Sequence, residues 1–141
     1  MGGDVLKGAL TAGAGWAVGG RPLGFACGGA AVVGHIFPVF RRFRGGKGVA
    51  TGAGVVMVLL PLVAVCCAVA FLIVLKVSHR ASVASIVMAA LVPLLALAVG
   101  RPAWEVLTCA AFASLVLLRH WSNIQRLVSG REPAVGLGDE A

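Results

Sequence analysis

Residues 48 to 75 read GVATGAGVVMVLLPLVAVCCAVAFLIVL, a run without a single charged side chain. As one straight helix, rising about 1.5 Å per residue, it would be roughly 42 Å long, well beyond a hydrocarbon core of about 30 Å. Pro61 sits near its middle, where a ring without an N–H interrupts the helical ladder. The run is therefore either one strongly tilted or kinked helix, or two shorter spans, 49–60 and 62–75, that turn near Pro61.

Charge on either side of the run favours the second reading. Immediately before it, residues 34 to 54 read GHIFPVFRRFRGGKGVATGAG and carry Arg41, Arg42, Arg44 and Lys47; the tail carries Arg119, Arg126 and Arg131. The positive-inside rule places both clusters on the cytoplasmic side, which requires an even number of crossings between them. Two spans from 49 to 75, then 81–100, then 103–118, make four, and they also put Lys76, His79 and Arg80 inside. Only Arg21 and Arg101 are left outside. With two further spans at 8–20 and 22–34, the expected architecture is all-α and polytopic, with six transmembrane helices and both ends cytoplasmic.

Composition agrees with this class. Of 141 residues, 60% are hydrophobic and 12% charged, and the mean hydropathy is +1.00, values foreign to a soluble domain. The whole chain, 1–141, reads as a single membrane-embedded domain. Its net charge of +7 raises the question of nucleic acid, yet the cations lie at the ends of apolar runs and not along one soluble face. Anionic lipid and anionic substrates are the expected partners, and nucleic acid is not. Cys27, Cys66, Cys67 and Cys109 show no metal-ligand spacing and read as small apolar residues. The opening MGGDVLKGAL lacks the basic and long apolar regions of a secretory signal, and Leu6 breaks the myristoylation pattern. Small residues such as Gly8, Ala12, Gly15, Gly28 and Gly29 predict closely packed helices.

Two polar segments carry the functional signal. Around Lys47, Gly45, Gly46 and Gly48 leave the backbone N–H groups open to an anion. The segment is not a nucleotide-binding phosphate loop, because Arg41 stands at the first glycine position and Gly48 where a hydroxyl residue is required. Phosphate binding and ordinary positive-inside anchoring both remain open from spacing alone. The second segment, RHWSNIQRLVSGRE at 119–132, begins where the last span leaves the membrane. If that helix continues, Arg119, Asn123 and Arg126 share a face. Histidine exchanges protons near neutral pH, asparagine orients oxygen atoms, and arginine grips phosphate in two parallel bonds. The plainer reading is a basic helix stop with Trp121 as interface anchor.

Taken together, GHIFPVFRRFRGGKGVATG and RHWSNIQRLVSGRE resemble, in order and separation, the second and third motifs of the membrane-integral bacterial glycerol-3-phosphate acyltransferases that use acyl phosphate, the PlsY family. Asp4 to Leu10 is similar to the start of the helix preceding the second motif. The resemblance implies transfer of a fatty acyl group from acyl phosphate to the 1-hydroxyl of glycerol 3-phosphate, giving lysophosphatidic acid and phosphate in phospholipid biosynthesis. It implies a site on the cytoplasmic face of the inner membrane, with no metal, nucleotide or other cofactor. Carried over by position, Gly45, Gly46, Lys47 and Gly48 hold a substrate phosphate with Ser82 and Arg126, while His120 and Asn123 are the catalytic pair. The hydroxyl proton goes to His120 or to a phosphate oxygen of the substrate. His35 is expected to cap or pack the helix entering the loop, His79 to sit at the water boundary, and Glu132 to be a solvated tail residue before it is a residue that orients an arginine.

The resemblance also implies a preceding helix and a first motif with a Ser-Gly-Asn-Pro-Gly-Ala-Thr-Asn type loop, seven spans in all. This sequence starts after that point, which implies either a start codon placed too late, the favoured reading, or a shortened relative. The rivals from other classes are a small membrane anion-binding or transport protein and a noncatalytic scaffold for anionic lipid. The six spans show neither an inverted repeat nor a charged midplane residue.

Overall fold

The computed structural model describes residues 2–38 and 45–135, all helix, turn and loop. The arginines Arg41, Arg42 and Arg44 of the first basic cluster lie outside the described residues. Six helices follow in order: α1 Gly2–Ile36, α2 Val49–Leu59, α3 Pro61–Ser78, α4 Ala81–Ala98, α5 Ala103–Arg119 and α6 Trp121–Val128.

The first is two helices in tandem. Gly19 and Gly20 have non-helical backbone angles, and Gly20 takes φ 71°, ψ −169°, a region open essentially to glycine alone. The chain reverses there, so that Lys7 near the start of α1 meets His35 near its end. Expected spans at 8–20 and 22–34 thus correspond to the arms 2–18 and 21–36 of a hairpin. The long apolar run likewise breaks where its proline falls. Leu60 leaves the helical region at φ −138°, ψ 63°, its N–H still donates to the Val56 carbonyl at 2.8 Å, and Pro61 starts α3, where a missing N–H costs nothing.

Small residues set the packing. A methyl at Gly8 would overlap the Thr51 carbonyl, and one at Gly54 would overlap the Val5 carbonyl, so the first arm of α1 and α2 meet backbone to backbone. α3 then packs on α4, α4 on α5, and α5 returns to α1. The buried centre includes Ala12, Phe25, Val32, Leu59, Val63 and Cys67. Large apolar side chains such as Leu62, Val65, Leu72 and Ile73 of α3 face outward, as lipid contact requires.

α3 and α4 are each long and apolar enough to cross a membrane, and α5 with α6, bent by 57°, meets the same test as a pair. The remaining helical segments are too short or too polar to qualify singly. Each of the six segments 2–18, 21–36, 49–59, 61–78, 81–98 and 103–119 nonetheless runs between the same two polar ends. At one end lie Asp4, His35, Lys47, Ser82 and His120. At the other, Arg21 donates to Glu105 from Nε at 2.7 Å and from Nη2 at 2.9 Å, and Nη2 also reaches the Leu59 carbonyl at 2.9 Å. Arg101 makes a second fork onto the same carboxylate at 2.8 and 3.0 Å. Arg21 and Arg101, expected on one side, are thus joined at the end opposite the site.

Candidate functional site

The site is assembled where two chain reversals and a helix bend meet. Gly48 takes φ 83°, a left-handed conformation natural to glycine, and lets α2 start directly after Lys47. His79 ends α3 in a left-handed turn, so that α4 begins at Ala81 with Ser82 and Ser85 in its first turns. His120 breaks the last apolar helix: its N–H donates to the carbonyls of Val116 and Leu117, and α6 leaves at 57°. The continuous helix that would have placed Arg119 on one face with Asn123 and Arg126 is therefore not formed. Arg119 stays with α5 and lies over the Phe37 ring, 6.0 Å from its centroid.

Four expected residues, Lys47, Gly48, Ser82 and His120, line one open pocket of about 290 Å³ together with Asp4, His35 and Ser85. His120 is 1% exposed. Its Nδ1 lies 2.8 Å from the Val116 carbonyl, an acceptor only, so the neutral ring carries its proton on Nδ1 and keeps a lone pair on Nε2. Burial lowers its pKa from the usual histidine value; the Val116 bond and Glu132 oppose that shift and Lys47 adds to it. Asn123 Oδ1 is buried without a hydrogen-bond partner among the described residues, an arrangement that a polar ligand or water would satisfy, and Ser82 Oγ is buried beside the Glu132 carboxylate.

The other expected residues are placed differently. Gly46 donates its N–H to the His35 carbonyl at 3.2 Å, so that group is occupied within the fold. A methyl at Gly45 would overlap the His35 and Ile36 carbonyls, and one at Gly46 the His35 ring. These two glycines bring the loop down onto the end of α1, and His35 packs the helix entering the loop, as expected. Asp4 Oδ1 and Lys7 Nζ both approach His35 Nδ1 at 3.2 Å. Asp4 and Lys7 also pair with each other at 3.7 Å, a contact that their spacing of three along a helix could have signalled.

Asn123 and Arg126 do not line the pocket; both are bound to Glu132. Asn123 Nδ2 donates to Glu132 Oε1 at 2.6 Å and Arg126 Nε to Oε2 at 2.8 Å. The expectation that Glu132 is solvated is corrected, because it is only 7% exposed. Burial alone would raise its pKa, but Ser82, Asn123 and Arg126 outweigh that and hold it at about 2. The turn at Gly130 and a bond from the Val135 N–H to the His79 carbonyl fold this segment back over the start of α4.

Gly48 and Val49 also line a second, apolar cavity of about 150 Å³ that extends inward between the helices to Phe25, Leu59 and Leu60. A polar pocket at the bundle end thus adjoins an apolar one within it, an arrangement suited to an amphiphile.

The sequence matches the glycerol-3-phosphate acyltransferase family over residues 1–130. It is 41% identical over 133 residues to a glycerol-3-phosphate acyltransferase of Syntrophomonas wolfei, covering 94% of this chain and 68% of that one. A glycerol-3-phosphate acyltransferase of Jannaschia is 42% identical over 134 residues, covering 94% and 65%. The crystal structure of PlsY, an integral membrane glycerol 3-phosphate acyltransferase, in its glycerol 3-phosphate form superposes with a TM-score of 0.90 at 35% identity, covering 94% of this chain and 68% of that one. Its lysophosphatidic acid form gives the same TM-score. The chain therefore spans about two thirds of the length of these relatives.

Proposed function

The chain belongs to the glycerol-3-phosphate acyltransferase family, and we propose that it transfers a fatty acyl group from acyl phosphate to the 1-hydroxyl of glycerol 3-phosphate. The observation that carries this reading is the junction at Gly48 and Val49. Headgroup phosphates meet Lys47, Ser82 and His120 in the polar pocket while the acyl chain lies in the apolar cavity, which puts the acyl carbonyl at the boundary between them.

In that position the hydroxyl oxygen attacks the carbonyl carbon, the bond from that carbon to the phosphate oxygen breaks, and phosphate leaves with the electron pair. The hydroxyl proton passes to His120 Nε2 or to a phosphate oxygen of the substrate. The mixed anhydride is already activated, so the step draws on electrostatic stabilisation and positioning and needs no nucleotide. Lys47 supplies a point charge for phosphate and Ser82 Oγ a hydroxyl donor. Asn123 and Arg126 do not line the pocket; from α6 they hold Glu132 and brace that edge of the site. We place this site on the cytoplasmic face of the inner membrane, the side to which the positive-inside rule assigns Lys47 and the tail arginines.

Liposomes bearing the chain, supplied with acyl phosphate and labelled glycerol 3-phosphate, are expected to form labelled lysophosphatidic acid. Lys47→Ala is expected to raise KM for glycerol 3-phosphate at least tenfold. Absence of product from the parent chain would overturn the activity, and an unchanged KM in the variant would overturn the assignment of Lys47.

A further inference from the structure

Behind Leu59, at the far end of the apolar cavity's lining, lies the most heavily bonded ionic cluster among the described residues. Leu59, 1% exposed, ends α2, and it lines the cavity with Leu60 and Phe25 at the end away from Gly48 and Val49. The Leu59 carbonyl accepts a bond from Arg21 Nη2 at 2.9 Å, and Arg21 is anchored by two more bonds to Glu105, itself gripped by Arg101. Phe25 is held edge-to-face on Trp104 with centroids 5.4 Å apart, under the Arg21 guanidinium at 5.8 Å. Glu105 is 1% exposed, and a buried carboxylate held by two guanidinium forks moves only by breaking several charged bonds at once.

We propose that this clamped end is the cavity floor and the ruler that sets acyl-chain length, an inference that rests on the acyltransferase reading. The mouth of the cavity, Gly48 and Val49, lies beside the polar pocket, and the floor lies at the other end of the 11-residue α2, about 16 Å away. A chain too short leaves apolar wall unfilled, and one too long must fold back or leave the cavity. One methylene in a hydrophobic pocket discriminates by about tenfold or more. The ion cluster acts at a distance from the chemistry by denying the floor room to recede, so Arg21, Glu105 and Arg101 are positioning residues for Leu59 and Phe25.

The test uses the chain in liposomes with glycerol 3-phosphate and a graded series of acyl phosphates. Leu59→Ala deepens the cavity and is expected to raise the ratio of kcat/KM for longer over shorter chains about tenfold; Leu59→Phe is expected to lower it. Glu105→Gln is expected to flatten the length profile while leaving KM for glycerol 3-phosphate as it was, a split that general loss of fold would not produce. Thermal unfolding in detergent identifies the folded variants, and Phe25→Leu deepens the same floor should Leu59→Ala fail to fold. A parent chain that makes no lysophosphatidic acid at any length overturns the acyltransferase reading and the ruler with it. An active parent whose folded variants keep its length profile overturns the ruler alone.

Discussion

His120 and Glu132 show how single side chains acquire a role from partners that lie far from them in the sequence. Glu132 bonds Asn123 and Arg126, nine and six residues earlier, and lies close to Ser82 on another helix. Its folded pKa, about 2, is below the ordinary value of 4.5. A depressed carboxyl stabilises the fold fully above its unfolded pKa and loses that contribution as protons bind on the way down, here between about pH 4.5 and 2. Glu132→Gln removes the charge and keeps the shape; it is expected to cost about 1.5 to 3 kcal/mol at neutral pH and to flatten stability across that acid range, measured by unfolding in detergent. His120, whose pKa is lowered by burial, stays neutral at and above neutral pH. If it accepts the hydroxyl proton, His120→Ala lowers kcat by at least about a hundredfold and removes the acid limb of the pH profile. If the substrate phosphate accepts it, that limb persists in the variant, so pH profiles of the two proteins decide the route.

Helices are where the sequence was most readable, and the reasons are local. Pro61 in an apolar run and a glycine pair at 19–20 are local backbone signals, and both fall at real breaks, whereas Pro93 lies within an unbroken α4. The break at His120 was not readable, because no proline or glycine marks it; the ring and the backbone N–H both turn to the preceding carbonyls. In the site, Lys47, Gly48, Ser82 and His120 line one pocket, whereas Glu132 required a fold to reveal its bond to Asn123. Glycine packing offers a graded test. Gly54→Val forces a branched side chain into the Val5 carbonyl and is expected to destabilise by about 1–3 kcal/mol or more. Gly34→Ala, where a methyl meets nothing within 4 Å, is expected to change stability by less than about 0.5 kcal/mol or to raise it. Thermal shifts of the two variants side by side separate contact from general loss of glycine.

The molecule as a whole is polarised along its helices. One end gathers Lys47, Ser82 and His120 around an open pocket, and the other ends in a carboxylate saturated by two arginines. That separation gives physical content to a topology that length alone does not decide, because α2 has only 11 residues yet runs from the pocket at Val49 to the Arg21 cluster at Leu59. A short helix can cross where the protein surrounds it and neighbouring helices carry the lipid contact. The expected outcome is six crossings, with Val99 and the start of α3 on one side and Ser129 on the other. Single cysteines in a background lacking Cys27, Cys66, Cys67 and Cys109 test this with a membrane-impermeant maleimide on intact cells. Val99→Cys, 42% exposed in the parent, is expected to label from outside, and Ser129→Cys only after permeabilisation. Leu62→Cys, in the first turn of α3, is expected to label with Val99→Cys. Were residues 49–78 a single long span, position 62 would lie within the bilayer and label from neither side, and the two polar ends would not correspond to the two faces of the membrane.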